Sequence, residues 1–191
     1  RNNGKLAITW KEDDNLISVK KTDGNKEMLI ASSNGRMIRF DESEIRLMGR
    51  TASGVKGMDL DGSHVVGAEV VTPGQLILIV TESGYGKKTS IDEYRLTHRG
   101  GKGVKALNVT EKNGMMVALC TVDDNISQDV MIITNSGTVM KMPLNQISTL
   151  KRATQGVRLL NLKNEQKVAT VTVVESENSD ETEETDSVEK E

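Results

Sequence analysis

Large flat side chains are nearly absent from this chain: among 191 residues, aromatics make up 2%, with one Trp, two Tyr and one Phe. Any core must therefore be assembled from Val, Ile, Leu, Met and Ala. Cysteine occurs once, as Cys120 in the apolar run Met115-Met-Val-Ala-Leu-Cys120. This excludes a disulfide framework within one chain and reads as a buried, inert thiol in a reducing compartment. Proline occurs twice. No run approaches the roughly 18 consecutive apolar residues of a membrane span, so a membrane is not an expected partner. The N-terminal Arg1-Asn-Asn-Gly-Lys-Leu-Ala-Ile-Thr-Trp10 has neither a signal-peptide core nor an initiating methionine, and the chain reads as a piece of a longer protein.

What is present is glycine, 17 of them at turn-like positions, a pattern that favours many short strands over helices. Charge is unevenly placed. Residues 175–191 hold nine Asp or Glu against one Lys, a net of −8, so within a whole-chain net of −3 the remaining 174 residues carry +5. A mildly basic body thus bears an acidic Ser/Thr-rich tail without apolar periodicity, which is expected to be disordered. The tail serves either solubility or competition with whatever anion the body binds.

The body is repetitive. Gly35, Gly84 and Gly137 each follow an apolar run and a polar turn residue, and 19 residues beyond each stands another Gly-Val pair, at Gly54, Gly103 and Gly156. Measured from the first glycine of each unit, basic residues recur four positions on (Arg39, Lys88, Lys141), fifteen on (Arg50, Arg99, Arg152) and twenty-one on (Lys56, Lys105, Arg158). A fourth column, Arg46 and Arg95, is broken by Ser148. Each unit reads as four strands; in the first these are Glu27–Ala31, an alternating Arg36–Phe40, Gly54–Leu60 and Val65–Val71. Turns are expected at Lys112-Asn-Gly114 and Asn164-Glu165. Residues 5–20 read as the last two strands of a preceding unit. The resulting division is 1–24, the end of one blade; 25–74, 75–127 and 128–174, three blades; and 175–191, the tail. Repeated four-stranded units imply an all-β, propeller-like architecture.

The most conspicuous stretch is Arg99-Gly-Gly-Lys-Gly103. Its glycines Gly100, Gly101 and Gly103 expose backbone N–H groups beside Arg99 and Lys102, which suits an oxyanion such as phosphate. The plainer reading is a connection between strands in which glycine supplies unusual backbone angles. The repeat makes it one of three equivalent loops on an arc of positive charge, fit for the backbone of duplex DNA rather than for stacking single strands.

Gly49-Arg-Thr-Ala-Ser-Gly-Val-Lys-Gly57, Glu82-Ser-Gly-Tyr-Gly-Lys-Lys-Thr89, Arg99-Gly-Gly-Lys-Gly-Val104 and Thr154-Gln-Gly-Val-Arg-Leu159 resemble the C-terminal domain of the DNA gyrase A protein, a type IIA topoisomerase component, over about residues 5–174. The resemblance implies a β-pinwheel, a disc of blades that exchange strands. It also implies double-stranded DNA bent around the basic rim. The parent it implies is a heterotetramer of two gyrase A and two gyrase B chains, which uses ATP and Mg for negative supercoiling in the bacterial cytoplasm at the nucleoid. No cofactor is expected in this segment. The family's Gln-Arg-Arg-Gly-Gly-Lys-Gly box is matched only in its last five positions, and no catalytic-tyrosine region is visible, so the segment itself is expected to cut nothing. The corresponding domain of topoisomerase IV is a close alternative. A kelch or WD interaction propeller lacks support in the aromatic content, and a propeller enzyme would gather carboxylates or histidines at one mouth. Metal binding has no support either, since His64 and His98 have no ligands at suitable spacing.

Overall fold

The computed structural model describes residues 4–9, 11–163 and 165–176. They form eleven strands in three sheets, with only short 3₁₀ turns besides. In the first unit the apolar run makes β1 (Glu27–Ser32) and turns at Ser33-Asn34-Gly35 into β2 (Arg36–Asp41). Gly35 holds φ +78°, a left-handed conformation that a side chain at this tight turn would strain. After a long loop, β3 (Val65–Val71) pairs antiparallel with the other edge of β1. The second unit repeats this with β4 (Leu76–Thr81), β5 (Tyr85–Ser90) and β7 (Met116–Val122), the third with β8 (Gln128–Thr134), β9 (Val139–Pro143) and β11 (Val168–Glu175).

The fourth strand of the first and of the second sheet crosses between units. Two-residue β6 (Val104–Lys105) belongs by sequence to the second unit yet pairs with β2 of the first, and β10 (Val157–Arg158) of the third pairs with β5 of the second. The sheet orders are therefore β3-β1-β2-β6, β10-β5-β4-β7 and β11-β8-β9. Gly103 and Gly156 make the crossing possible. At φ +65° and +78°, each lies so close to the preceding sheet that an added Cβ would meet Met37 O at 2.1 Å or Gly86 O at 2.8 Å. The edge strands β3, β7 and β11 pack beside one another, so the sheets converge there and β6, β10 and β9 lie on the opposite, outer side.

The core sits between sheets rather than within one. Leu29, Ala31, Met37 and Val71 of the first sheet close on Ile77, Ile79, Met116 and Leu119 of the second, sealed by Ala106 and Leu107 just past the exchanged strand. A second cluster joins Leu78, Val80, Ala118 and Val122 to Val130, Ile132, Leu144 and Val168. Burying some two dozen aliphatic side chains at roughly 1.5–3 kcal/mol each is the main stabilising term.

The structure corrects four expectations from the sequence. Gly54–Leu60 forms no strand, because its counterparts pair with the sheet before them and no such sheet precedes it among the described residues. Of the stretch 5–20, the described residues 5–9 and 11–20 likewise form no strand; they are tied down by Thr9 N–H to Ala52 O at 3.1 Å and by Lys20 to Glu69 at 2.7 Å. β2 is buried on both faces instead of alternating with solvent, since one face packs on the second sheet and the other on Met58 and Leu60. Glu175, assigned to the tail, is the last residue of β11 and pairs with Gln128. Residues 177–191 and Asn164 lie outside the described residues.

Candidate nucleic-acid interface

The residues after the second and third 3₁₀ turns (Ile91–Glu93 and Leu144–Gln146) run back along the outer edge of the preceding sheet, and this builds the basic loops. Leu96 bridges to Arg39 in parallel, Thr97 N–H donates to Arg39 O at 2.8 Å, and the chain then bulges through 98–102 before β6. One unit on, Thr149 bridges to Lys88, Leu150 N–H donates to Lys88 O at 2.9 Å, and 151–155 bulge before β10.

Both bulges are anchored by the arginine at their head. Arg99 donates through Nη1 to Lys56 O at 2.9 Å and through Nε to Glu44 O at 3.2 Å, while its amide donates to Glu44 Oε2 at 3.1 Å. Arg152 repeats the pattern, with Nη1 to Lys105 O at 2.9 Å and its amide to Glu93 Oε2 at 3.5 Å. Gly100 N–H reaches Gly57 O at 2.6 Å, and Gly101 O accepts from Asp59 N–H at 2.9 Å. Gly100 adopts φ +84°, so the sharp bend there favours glycine. Arg36 of β2 completes the grip by donating to Lys102 O and Gly103 O at 3.0 and 3.2 Å. These charged bonds are worth on the order of 1.5–3 kcal/mol each when well formed, enough to hold a loop in one shape.

The nine basic residues of the repeat columns and Lys102 of the glycine-rich loop thus divide. Arg39 and Lys88 are corrected as surface cations: their side chains are 8% and 5% exposed and are consumed within the fold. Arg39 pairs with Glu27 at 2.5 Å and donates to the carbonyls of Ile91 and Tyr94 at 3.0 Å each; Lys88 pairs with Asp124 at 2.7 Å. The cause is the double-sided burial of β2 and β5, which leaves no solvent face at those positions. Lys141, on edge strand β9, is 48% exposed beside Asp129 at 3.1 Å. Lys56 and Lys102 stand in the open near Asp59 at 3.6 Å and Asp61 at 3.2 Å. Arg99 and Arg152 are half-buried anchors, whereas Arg50, Lys105 and Arg158 are exposed. Arg158 is held by the Tyr85 hydroxyl at 2.9 Å and lies 5.5 Å from the centre of its ring. Of the motif glycines, Gly54 has φ +87° with open space around it, while Gly101 keeps an ordinary φ.

The repeat columns passed over residues that shape the site. Glu44 and Glu93 stand nine residues after Gly35 and Gly84, a column visible in the sequence but broken by Gln146. Lys87 gave no signal, because Ile38 and Met140 occupy its positions in the other units. Among the described residues no three His, Cys, Asp or Glu side chains gather as a metal site, and no helix is long and apolar enough to cross a membrane.

The family model for the "DNA gyrase C-terminal domain, beta-propeller" matches this chain three times, over residues 26–72, 75–119 and 128–175, one match per sequence unit. The chain belongs to the DNA gyrase C-terminal domain family. The gyrase A protein of Staphylococcus aureus is 46% identical over 185 residues, which is 95% of this chain and 21% of that protein. The chain therefore spans about a fifth of the length of the curated relatives it matches. Among solved structures, the C-terminal domain of a DNA topoisomerase IV superposes with a TM-score of 0.82 at 28% identity, covering 88% of this chain and 53% of that one. A DNA gyrase A C-terminal domain does so with a TM-score of 0.79 at 22% identity, over 88% and 57%, and shares the fold. The fold of this gyrase-family chain is accordingly the all-β propeller-like pinwheel that the repeat and the resemblance implied.

Proposed function

We propose that this chain binds duplex DNA without regard to sequence and bends it around the outer edges of its sheets, as the wrapping part of a protein of the gyrase A type. The observation that carries the reading is the serial order of the loops. Residues 98–102 and 151–155 stand on the outer edges of successive sheets, each fixed by the unit before it, and beside them Lys105, Arg158 and, in the first unit, Arg50 face solvent. Of these cations, Arg158 is already held by the Tyr85 hydroxyl and loses little freedom on binding. Arranged along a convex edge, they meet successive phosphates of a curved duplex and read no bases, so selectivity falls to how easily the DNA bends.

Within the parent enzyme, paired with gyrase B and a second copy of gyrase A, the wrap would deliver a duplex segment to a cleavage gate. Because passing one duplex through another reverses the sign of their crossing, a wrap of fixed hand biases the product toward negative supercoils. ATP and Mg²⁺ would be handled by parts of that enzyme outside this chain, in the bacterial cytoplasm. Identity of 46% to gyrase A proteins supports this assignment. Likeness to the topoisomerase IV domain supports a second reading, in which the rim selects crossings for decatenation.

The test is a salt titration of binding to a duplex of about 150 base pairs, one persistence length. The R50Q/K105Q/R158Q chain should show a log–log slope shallower by about 2.7, three contacts at 0.9 each. Affinity indifferent to salt, or a triple variant that binds as the parent does, overturns the proposal.

A further inference from the structure

The second sheet buries a lysine that the basic columns do not include. Lys87 of β5 is 0% exposed, with the apolar Ile79 opposite it on β4. Its ammonium donates to Lys151 O at 2.9 Å, Arg152 O at 2.5 Å and Thr154 Oγ1 at 3.1 Å, all three acceptors belonging to the loop of the next unit. No carboxylate touches it among the described residues. An ammonium offers three N–H donors, and three acceptors from one loop use them all.

We infer that Lys87 is a positioning residue: its buried ammonium pins the 151–154 loop across the edge of the second sheet and thereby sets Arg152 and the exchanged strand that carries Arg158. The pin works at one seam only. At the corresponding point of the first seam stands Ile38, and Gly101 simply rests over it, 3.7 Å from an ideal Cβ to Ile38 Cδ1. The 98–102 loop is held there by backbone bonds to Gly57 and Asp59 instead. The second loop keeps the counterpart of the Asp59 bond, Asn108 N–H to Thr154 O at 3.0 Å, and the Arg152 clamp on Lys105 O, but it has no counterpart of the Gly57 bond and takes Lys87 in its place, with Asn113 Nδ2 to Gln155 O at 3.1 Å as a further tie.

A charge in this position makes the seam sensitive to pH. Burial pushes the Lys87 ammonium down to about 8; Glu93 on the following 3₁₀ turn opposes the shift, and Arg152 in the pinned loop adds to it. The unfolded chain holds this proton up to its ordinary 10.5, so between about pH 8 and 10.5 the unfolded state binds more protons and Lys87 adds to global stability as pH rises. Loop order moves the other way. A neutral amine has only two donors for three acceptors, and the loop loosens over the same window.

The experiment compares the 191-residue chain with K87M and with K87I, the latter copying the first unit. Amide exchange across 151–156 should quicken by about tenfold, the equivalent of one net hydrogen bond, while β4 and β8 keep their protection. Melting temperature should hold or rise, because a buried charge is replaced by an apolar side chain. Raising pH from 7 to 10 should bring the loop exchange of the parent toward that of K87M, after correction for base catalysis, while the parent gains stability relative to the variant. Unchanged loop exchange in both variants, or protection lost evenly across all three sheets, overturns the pin. Its consequence for DNA rests on the function proposed above: both variants should bind more weakly. A loosened loop with unaltered DNA affinity keeps the pin and refutes that reading of the rim.

Discussion

Replacing the three equivalent motif glycines by alanine should separate backbone conformation from blade exchange. G54A, G103A and G156A each force an L side chain into a left-handed conformation, at φ +87°, +65° and +78°, and this costs about 1–2 kcal/mol wherever it occurs. G54A incurs nothing more, because no atom lies within 4 Å of its added Cβ. In G103A the Cβ would stand 2.1 Å from Met37 O and 2.6 Å from Met37 C. Both are backbone atoms of β2 and cannot rotate aside, so β6 must lift from its partner. That breaks the Arg36–Lys105 and Met37–Val104 pairing and unseats Ala106 and Leu107, which are 0% and 1% exposed. Losing one buried leucine alone costs roughly 1.5–3 kcal/mol, so the total passes about 4 kcal/mol. G156A falls between, its Cβ 2.8 Å from Gly86 O. With about 2–4 °C per kcal/mol for a chain of this size, calorimetry should find a drop of a few degrees for G54A and at least about 8 °C for G103A. Equal drops in the three variants would refute the idea that these glycines serve the exchange of strands.

Other substitutions probe the ties between units. R39M leaves Glu27 unpaired in a partly buried site and frees two carbonyls; it should destabilise by about 3–5 kcal/mol in denaturant titration while leaving the salt slope of DNA binding unchanged. Lys167 and the Met115 amide hold the Glu82 carboxyl below its usual range. Its stabilising contribution is therefore complete above the ordinary carboxylate pKa and lost as pH falls through the lowered one, and E82Q should flatten the acid side of a stability profile. Burial pushes the Cys120 thiol up to about 11, so a maleimide should leave it unmodified at pH 8 until the chain is unfolded.

The three-unit repeat was legible because tight turns and close crossings demand glycine at set positions, and Gly35, Gly84 and Gly137 mark them. Strand partnership was not. A Gly-Val pair specifies a short strand but not the sheet that receives it, and only packing shows that Val104 adds to the first sheet and Val157 to the second. Arg39 and Lys88 misled for a related reason. An alternating strand signals one wet face, but in a stack of sheets both faces of β2 and β5 are covered, and the charges there became internal ties. The arginine column at Arg50, Arg99 and Arg152 was visible as charge, whereas the work of Arg99 and Arg152 as clamps on the preceding unit depends on Lys56 O and Lys105 O. Backbone acceptors leave no trace in a sequence.

Wrapping, as opposed to mere binding, is the central claim, and closing relaxed nicked plasmid with ligase in the presence of this chain tests it most directly. A basic rim that bends duplex around successive sheets should shift the linking number of the closed circles in one direction, increasingly with protein, and R50Q/K105Q/R158Q should shift it less. Circles that close with an unchanged linking-number distribution, under conditions where the DNA is saturated with protein, would contradict it.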